Sequence, residues 1–153
     1  MNWMILPFKR FADFKGRSRR MEFWMFSLLN VIVWIVLGGM KMASGDTMAQ
    51  LTAASATSPL SVYGVMFSGT TGILLALWSL AAFIPGIAVT VRRLHDRDMS
   101  GWWYLGFVIG SFIPLLNILI SIGFLVLMFL EGTKGPNRFG PDPKDPTSSD
   151  VFA

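Results

Sequence analysis

The residues best suited to chemistry lie in one short charged segment, residues 91–103, between two long apolar runs. It holds the only histidine, His95, next to Asp96, and the arginine pair Arg92 and Arg93. Paired guanidinium groups can chelate a phosphate through parallel N–H donors. A histidine among carboxylates could bind a metal or transfer a proton, but the chain has no H-x-x-x-H or H-E-x-x-H spacing. We therefore expect a hydrogen-bonded structural histidine, with no metal, no cofactor and no catalytic residue.

A second basic cluster, Arg17, Arg19 and Arg20, precedes the first long apolar run, and Glu22 lies between the cluster and that run. Two interpretations stay open: these arginines only fix the orientation of the chain in a membrane, or they bind the phosphate of an anionic headgroup. A buried arginine near a membrane must be paired. We therefore expect Glu22 or Asp96 to pair with an arginine from the other cluster.

The composition is that of a membrane protein. Of the 153 residues, 53% are hydrophobic and only 14% are charged, with a mean hydropathy of +0.55, whereas a soluble domain carries about 25% charged residues. The chain has no cysteine, which excludes disulfides and thiol catalysis. Its net charge of +4 is typical of a positive-inside bias, and no nucleic-acid motif is present, so we expect no nucleic-acid partner.

The apolar runs predict an all-α, polytopic membrane protein with one integral domain over residues 1–143. Residues 23–43 and 71–93 are each long enough to span, because a crossing needs about 20 residues. The run 102–130 would be about 43 Å long as a straight helix, and Pro114 interrupts it. It is either one kinked span or two short helices, 102–113 and 115–130. We favour two, for four membrane helices in all, because a hairpin places the basic C-terminal residues on the same side as the N-terminal arginines.

The remaining segments predict peripheral elements. Residues 2–14 predict an interfacial helix beginning near Pro7, with Phe8, Phe11 and Phe14 on one face, or else a disordered basic tail. Residues 44–70 predict an outer loop with a short helix around 48–56. Within the second span, Pro85 predicts a kink.

The end of the chain is rich in proline and glycine. Residues 131–143 predict a rigid loop that docks on the cytoplasmic face, the alternative being a flexible exit from the membrane. If it docks, Asp142 is expected to pair with Arg92 or Arg93, and Phe139 to lie beside Trp102. Residues 144–153 are predicted to be disordered.

Three segments carry a family resemblance: residues 14–24 (FKGRSRRMEFW), residues 92–103 (RRLHD, then SGWW) and residues 132–143 (GTKGPNRFGPDP). With these motifs in this order, the chain resembles the small bacterial inner-membrane proteins of unknown function typified by YhaH and YhaI. The resemblance implies a bacterial inner-membrane location and a helical fold. It implies no particular activity.

The leading functional interpretation is a non-enzymatic interaction or anionic-lipid-binding module in the bacterial inner membrane, with both termini cytoplasmic. Its expected partners are anionic membrane lipids, with a protein partner or a second copy of the chain as further candidates. An oligomeric transport or channel component is the alternative, and an enzyme acting on lipid headgroups is the third. Transport is weakened because no charged residue lies mid-span. The candidate binding residues are Arg17, Arg19, Arg20, Glu22, Arg92, Arg93, His95, Asp96, Trp102, Trp103, Asn137, Arg138, Phe139 and Asp142.

Overall fold

The fold is all-helical, as predicted. A computed structural model describes residues 3–43 and 47–145, and every regular element in those ranges is an α-helix. The helices are α1 (Leu6–Lys9), α2 (Arg20–Met42), α3 (Thr47–Thr57), α4 (Pro59–Met66), α5 (Gly69–Asp96), α6 (Trp102–Ser111) and α7 (Leu116–Phe129). The chain forms two compact units, the first within Met1–Phe26 and Ile84–Ala153 and the second Ser27–Phe83.

The two longest helices, α2 and α5, are apolar enough to cross a membrane. They have 23 and 28 residues, with a mean hydropathy of 2.0 and 2.2 in their most apolar windows. At about 1.5 Å per residue, each exceeds the roughly 30 Å hydrocarbon layer. Both predicted spans are thus confirmed as helices. The helix α5 runs through Pro85 without a break.

Both long helices extend beyond the predicted spans, and this corrects the interpretation of the charged segment. Arg92 and Arg93 lie at the end of the predicted span 71–93, and α5 continues past them to Asp96, so that part of the charged segment is helical. The extension is favourable because basic side chains near a helix C-terminus interact well with the helix dipole. The loop before α6 therefore comprises only residues 97–101.

In the second unit, the predicted outer loop 44–70 is largely helical, which is a second correction. The helix α3 matches the short helix expected around residues 48–56, but α4 was not expected. Ser58 caps α4, because its extended backbone lets the side chain accept from the Ser61 amide, and Pro59 occupies the first turn. Residues 44–46 lie outside the described residues.

Two of the polar contacts within this second unit involve Lys41 and Trp78. The Lys41 ammonium, which is buried, donates to the Ser68 carbonyl at 2.7 Å. The Trp78 indole donates to the Asn30 side chain at 3.1 Å. The second contact joins α2 to α5 between otherwise apolar faces, where each polar group needs a partner.

In the first unit, residues 102–129 form two helices and not one kinked span. The turn between α6 and α7 contains Leu115, whose φ of 70° ends the helical path. The rings of Phe107 and Phe124 pack edge to face across the pair, with centroids 5.3 Å apart. At about 15 and 21 Å, both helices are shorter than the hydrocarbon layer, so their membrane crossing stays a prediction.

The N-terminal helix is much shorter than predicted. It comprises only Leu6–Lys9, with Pro7 in its first turn as expected. Asp13 prevents continuation, because it accepts from Arg10 at 2.5 Å and from the Lys15 amide at 3.0 Å, which stabilises a turn. Phe8, Phe11 and Phe14 therefore do not share a helical face.

Candidate functional site

Five charged side chains form a buried ion-pair cluster in the first unit: Arg17, Glu22, Arg92, Arg93 and Asp96. Arg92 pairs with Glu22 at 2.6 Å, and Arg17 pairs with Asp96 at 2.9 Å. Arg93 also bonds to Asp96, one turn away on α5. No side chain of the cluster is more than 6% exposed. The pairing of Glu22 and Asp96 with arginines from the other segment is thus confirmed.

Two hydrogen bonds, from Arg92 and from Ser18, hold the carboxylate of Glu22 in place at the start of α2. One oxygen accepts from Arg92, and the other accepts from the Ser18 hydroxyl at 2.7 Å. The Ser18 amide in turn donates to the Arg92 carbonyl at 3.1 Å. Since Glu22 lies in the first turn of α2, the helix dipole also favours its negative charge.

The arginines of the cluster also donate hydrogen bonds to backbone carbonyls through other N–H groups. Arg92 donates to Asp13, and Arg93 donates to Leu130 at the end of α7. Arg17 donates to the carbonyls of Thr133 and Gly135, at 2.5 and 2.6 Å. The cluster thereby ties together the N-terminal segment and the ends of α5 and α7 with the loop that follows.

That loop docks as predicted and is named here the C-terminal loop, residues 131–145. Asn137 donates from its side chain to the His95 carbonyl at 2.9 Å, and the Thr133 amide donates to the Asp96 carbonyl at 2.8 Å. Gly132 lies so close to the Asp96 carboxylate that a Cβ there would collide with it. The docking therefore needs a glycine at this position.

Two contacts of the C-terminal loop differ from the expected ones. Phe139 stacks on His95, with ring centroids 3.9 Å apart, and does not lie beside Trp102. The plane of His95 is fixed there because its Nδ1 bonds to the Gly16 carbonyl at 3.1 Å. Asp142 accepts from the amides of Gly135 and Lys144, at 3.0 and 2.9 Å, while Arg92 and Arg93 pair with Glu22 and Asp96.

Three further candidates lie at the surface. Trp102 is 77% exposed at the start of α6, and Trp103 beside it is also exposed. Arg138 forms an exposed ion pair with Asp98 at 3.1 Å. The structure therefore does not bring these three side chains into the buried ion-pair cluster.

Beside the cluster lies a cavity of about 120 Å³, called here the basic pocket. It is lined by five basic and three acidic residues together with Gly132, Thr133 and Pro143: Arg17, Arg19, Arg20, Lys134, Lys144, Asp96, Glu131 and Asp142. Arg20 pairs with Glu131 at 2.7 Å, and Lys144 approaches the same carboxylate at 3.3 Å. Arg19 donates to the Pro143 carbonyl.

Three of the charged lining residues, Glu131, Lys134 and Lys144, were not among the sequence candidates. Lys144 was assigned to a disordered tail, but its amide and ammonium both form hydrogen bonds. Residues 146–153 lie outside the described part of the chain. The sequence did hold a signal for these three lining residues, since they follow the last apolar run closely. Charged residues in that position mark the end of a membrane helix.

Two of the acidic groups in the C-terminal loop, Glu131 and Asp142, are held in their charged forms. The hydrogen bond and positive charge of Lys144, with the charge of Arg20, keep the pKa of Glu131 below its ordinary value. Burial raises the pKa of Asp142, but hydrogen bonds from the amides of Lys144 and Gly135 outweigh it, so that this pKa is also lowered. Within residues 3–43 and 47–145, no three potential metal ligands come together.

The family described as "Protein of unknown function (DUF805)" matches residues 11–141. The chain belongs to this family. The match contains the whole buried ion-pair cluster and most of the C-terminal loop, so the family resemblance of the sequence motifs is confirmed.

Relatives of this DUF805 protein come from Escherichia coli K12. The chain is 38% identical to "Inner membrane protein YhaH" and 35% identical to "Inner membrane protein YhaI", each over 144 residues. The alignments cover 94% of this chain, with 98% of the first relative and 97% of the second. It is 29% identical to "Uncharacterized protein YiiR" over 156 residues, or 87% of each chain. No solved structure matches.

The names of YhaH and YhaI, together with the apolar helices α2 and α5, support a membrane location for this DUF805 protein. Neither the family description nor the relatives' names indicate an enzymatic activity.

Replacing Asp96 by asparagine should strongly destabilise the protein. The change leaves Arg17 and Arg93 buried without their carboxylate, and breaking a buried ion pair costs about 3–5 kcal/mol. The free energy of unfolding in detergent, compared with wild type, measures this loss.

The matched control is Asp98→Asn, which removes the same charge from an exposed pair and should cost less than about 1 kcal/mol. Asn also tolerates the φ of 58° at this position. Equal losses from the two variants would contradict the assignment.

The C-terminal loop should loosen only in strong acid. Because folding lowers the pKa of Asp142, its stabilising effect is complete above the ordinary value of 3.8 and disappears as the pH falls through the lowered pKa. The amide proton shifts of Gly135 and Lys144, followed by NMR, should therefore titrate together with a midpoint below 3.8. Asp142→Asn should abolish both titrations. A midpoint at or above 3.8 would show that the carboxylate does not hold the loop.

Proposed function

We propose that this DUF805 protein is a non-enzymatic inner-membrane protein whose basic pocket binds the headgroup of an anionic lipid. The supporting observation is how the basic residues divide between interior and surface. Arg17, Arg92 and Arg93 are buried and engaged with carboxylates and carbonyls. The other basic residues that line the basic pocket are half-buried or exposed, and these are the groups that a lipid could reach: Arg19, Arg20, Lys134 and Lys144.

The pocket lies where headgroups are expected. Arg20 is the first residue of α2, and its guanidinium donates to the carbonyl of Phe129, the last residue of α7, at 3.1 Å. The ends of membrane helices lie at the headgroup level. There, each lysine or arginine near an anionic leaflet contributes about 1 kcal/mol of attraction.

The positions of aromatic residues also support a basic pocket at the level of the lipid headgroups. Trp24, one turn after Arg20, stacks on Phe129 with ring centroids 4.1 Å apart. Trp102 and Trp103 are exposed at the start of α6. Tryptophan is enriched at membrane–water interfaces, because its ring is apolar and its N–H is polar. We assign both exposed tryptophans to interfacial anchoring, not to the binding site itself.

This proposal changes the roles of several sequence candidates. Arg17, Arg92 and Arg93 hold the fold, together with Glu22 and Asp96. His95 and Asn137 hold the C-terminal loop. Lipid contact is assigned to Arg19 and Arg20, joined by Lys134 and Lys144 from the C-terminal loop.

Removing the pocket lysines should weaken lipid binding. For the double variant Lys134→Gln/Lys144→Gln, we expect the affinity for short-chain phosphatidic acid to fall at least about tenfold, from two lost attractions of about 1 kcal/mol each. Native mass spectrometry of the full chain in neutral detergent measures bound lipid.

The matched control for that experiment is Lys9→Gln/Lys15→Gln, which removes two exposed charges outside the pocket. It should retain near-wild-type affinity. An equal loss in both double variants would indicate a general charge effect, and no loss in either would exclude the basic pocket as the site.

We further propose that the N-terminal segment and the C-terminal loop both face the cytoplasm, with α3 and α4 on the outer side. The chain has no cysteine, so a single introduced cysteine is the only maleimide target. With a membrane-impermeant maleimide, Thr52→Cys should react in intact cells, whereas Lys9→Cys and Lys134→Cys should react only after permeabilisation. Reaction of Lys134→Cys in intact cells would show that α6 and α7 together cross the membrane once.

A further inference from the structure

We propose that the basic pocket is a phosphomonoester site and that Glu131 is an internal competitor, which weakens the binding of every anion, so that a phosphomonoester binds more tightly than a singly charged phosphodiester. This inference rests on the proposed function, since it names which anion the pocket takes. It depends on the charge that Glu131 already places there, on the accessibility of that charge and on the size of the cavity.

Glu131 occupies the pocket as a ligand's anionic group would. Its carboxylate bridges two cations that come from distant parts of the chain, Arg20 at 2.7 Å and Lys144 at 3.3 Å. Each of these bonds is of the charge-assisted kind that a phosphate oxygen forms with arginine or lysine. The Glu131 side chain therefore stands where a phosphate oxygen would stand.

The bridge can be displaced because it is open to solvent. The Glu131 side chain is 59% exposed, and those of Arg20 and Lys144 are 39% and 54% exposed. Exposed ion pairs contribute little to stability, so that an incoming anion loses little by breaking them. Exposure also gives a ligand a route to both cations.

The other two acidic lining residues are held in place. Asp96 is committed to Arg17 and Arg93 in the buried ion-pair cluster. Asp142 accepts from two backbone amides of the C-terminal loop. Glu131 is thus the carboxylate that an anion would replace, and its replacement exposes the full charge of Arg20 and Lys144.

The charge of the incoming group then decides what binds. A phosphodiester brings one negative charge, so its exchange for Glu131 replaces one anion by another of equal charge. A phosphomonoester carries about −1.5 to −2 at neutral pH and has three acceptor oxygens. It therefore gains additional attraction from the remaining lysine and arginines that line the pocket.

The size of the cavity fits a small group. The cavity has a volume of about 120 Å³. Drug-sized ligands occupy pockets of about 300–1,000 Å³. The pocket therefore takes a terminal phosphate and not a bulky headgroup. The phosphate's source is either a monoester lipid of the phosphatidic acid kind or free phosphate in the cytoplasm.

The test compares three anions on the full chain in neutral detergent near pH 7.5: short-chain phosphatidic acid, phosphatidylglycerol with the same acyl chains, and inorganic phosphate. Dissociation constants are measured for wild type, Glu131→Gln and the control Asp98→Asn, which removes a carboxylate from an exposed ion pair outside the pocket. Glu131 and Asp98 are both exposed, so both variants should fold.

Wild type should bind phosphatidic acid at least about fivefold more tightly than phosphatidylglycerol, because of the additional charge. Glu131→Gln should strengthen the binding of both lipids by about threefold to tenfold, since the competing ion pairs are gone. Asp98→Asn should leave both affinities unchanged. Binding of phosphatidic acid without inorganic phosphate supports the proposal with a lipid as the source, and binding of inorganic phosphate supports it with a soluble source.

Three results would overturn the inference. Equal affinity of wild type for the two lipids would reject phosphomonoester selectivity, while the proposed lipid-binding function would stand. Unchanged or weaker binding by Glu131→Gln would reject the competitor role. If none of the three anions binds wild type or Glu131→Gln, the proposed function and this inference both fail.

Discussion

The first unit depends on the burial of two carboxylates and three guanidinium groups in one cluster. Removing such ions from water costs several kcal/mol each, and ion pairs with further hydrogen bonds offset the cost. The pairs Arg92–Glu22 and Arg17–Asp96 supply part of this compensation. More of it comes from backbone carbonyls of the N-terminal segment and of residues 130–135, although the buried Nε of Arg92 has no hydrogen-bond partner within the described part of the chain. This requirement explains why charged motifs far apart in the sequence belong together, since each completes the hydrogen bonds of another.

The same constraint distinguishes the arginines that stabilise the fold from the basic residues that a ligand can reach. An arginine that compensates a buried carboxylate is not available to a ligand, so Arg92 and Arg93 are poor positions at which to test binding. Exposed basic residues, such as Arg20 and Lys144, retain solvent access and form replaceable ion pairs. The buried ion-pair cluster therefore acts as a frame. It holds the ends of α2, α5 and α7 and the C-terminal loop in position, and the basic pocket forms at its edge.

The sequence predicted the elements whose signal is hydrophobic length, namely α2, α5 and the division at Pro114, and it predicted the cross-cluster ion pairs because buried arginines need partners. It did not predict the short helix α4, which has only eight residues and begins at the Ser58 cap with Pro59 in its first turn. Nor did it predict the stacking of Phe139 on His95, because ring contacts depend on the path of the C-terminal loop and not on any local pattern. The pocket role of Glu131 was missed for the same reason: its partner Arg20 is distant in the chain, and its partner Lys144 is reached only through the path of the C-terminal loop.

Glu22 and Arg92 stabilise the fold as a pair. A double-mutant cycle tests it most directly, with Glu22→Gln, Arg92→Met and their combination, and with the free energy of unfolding in detergent as the measured quantity. We predict a coupling energy of about 1–3 kcal/mol. The loss of stability in the double variant should therefore be smaller than the sum of the losses in the two single variants. Losses that add to within about 0.5 kcal/mol would show that the two residues act independently and would contradict the account.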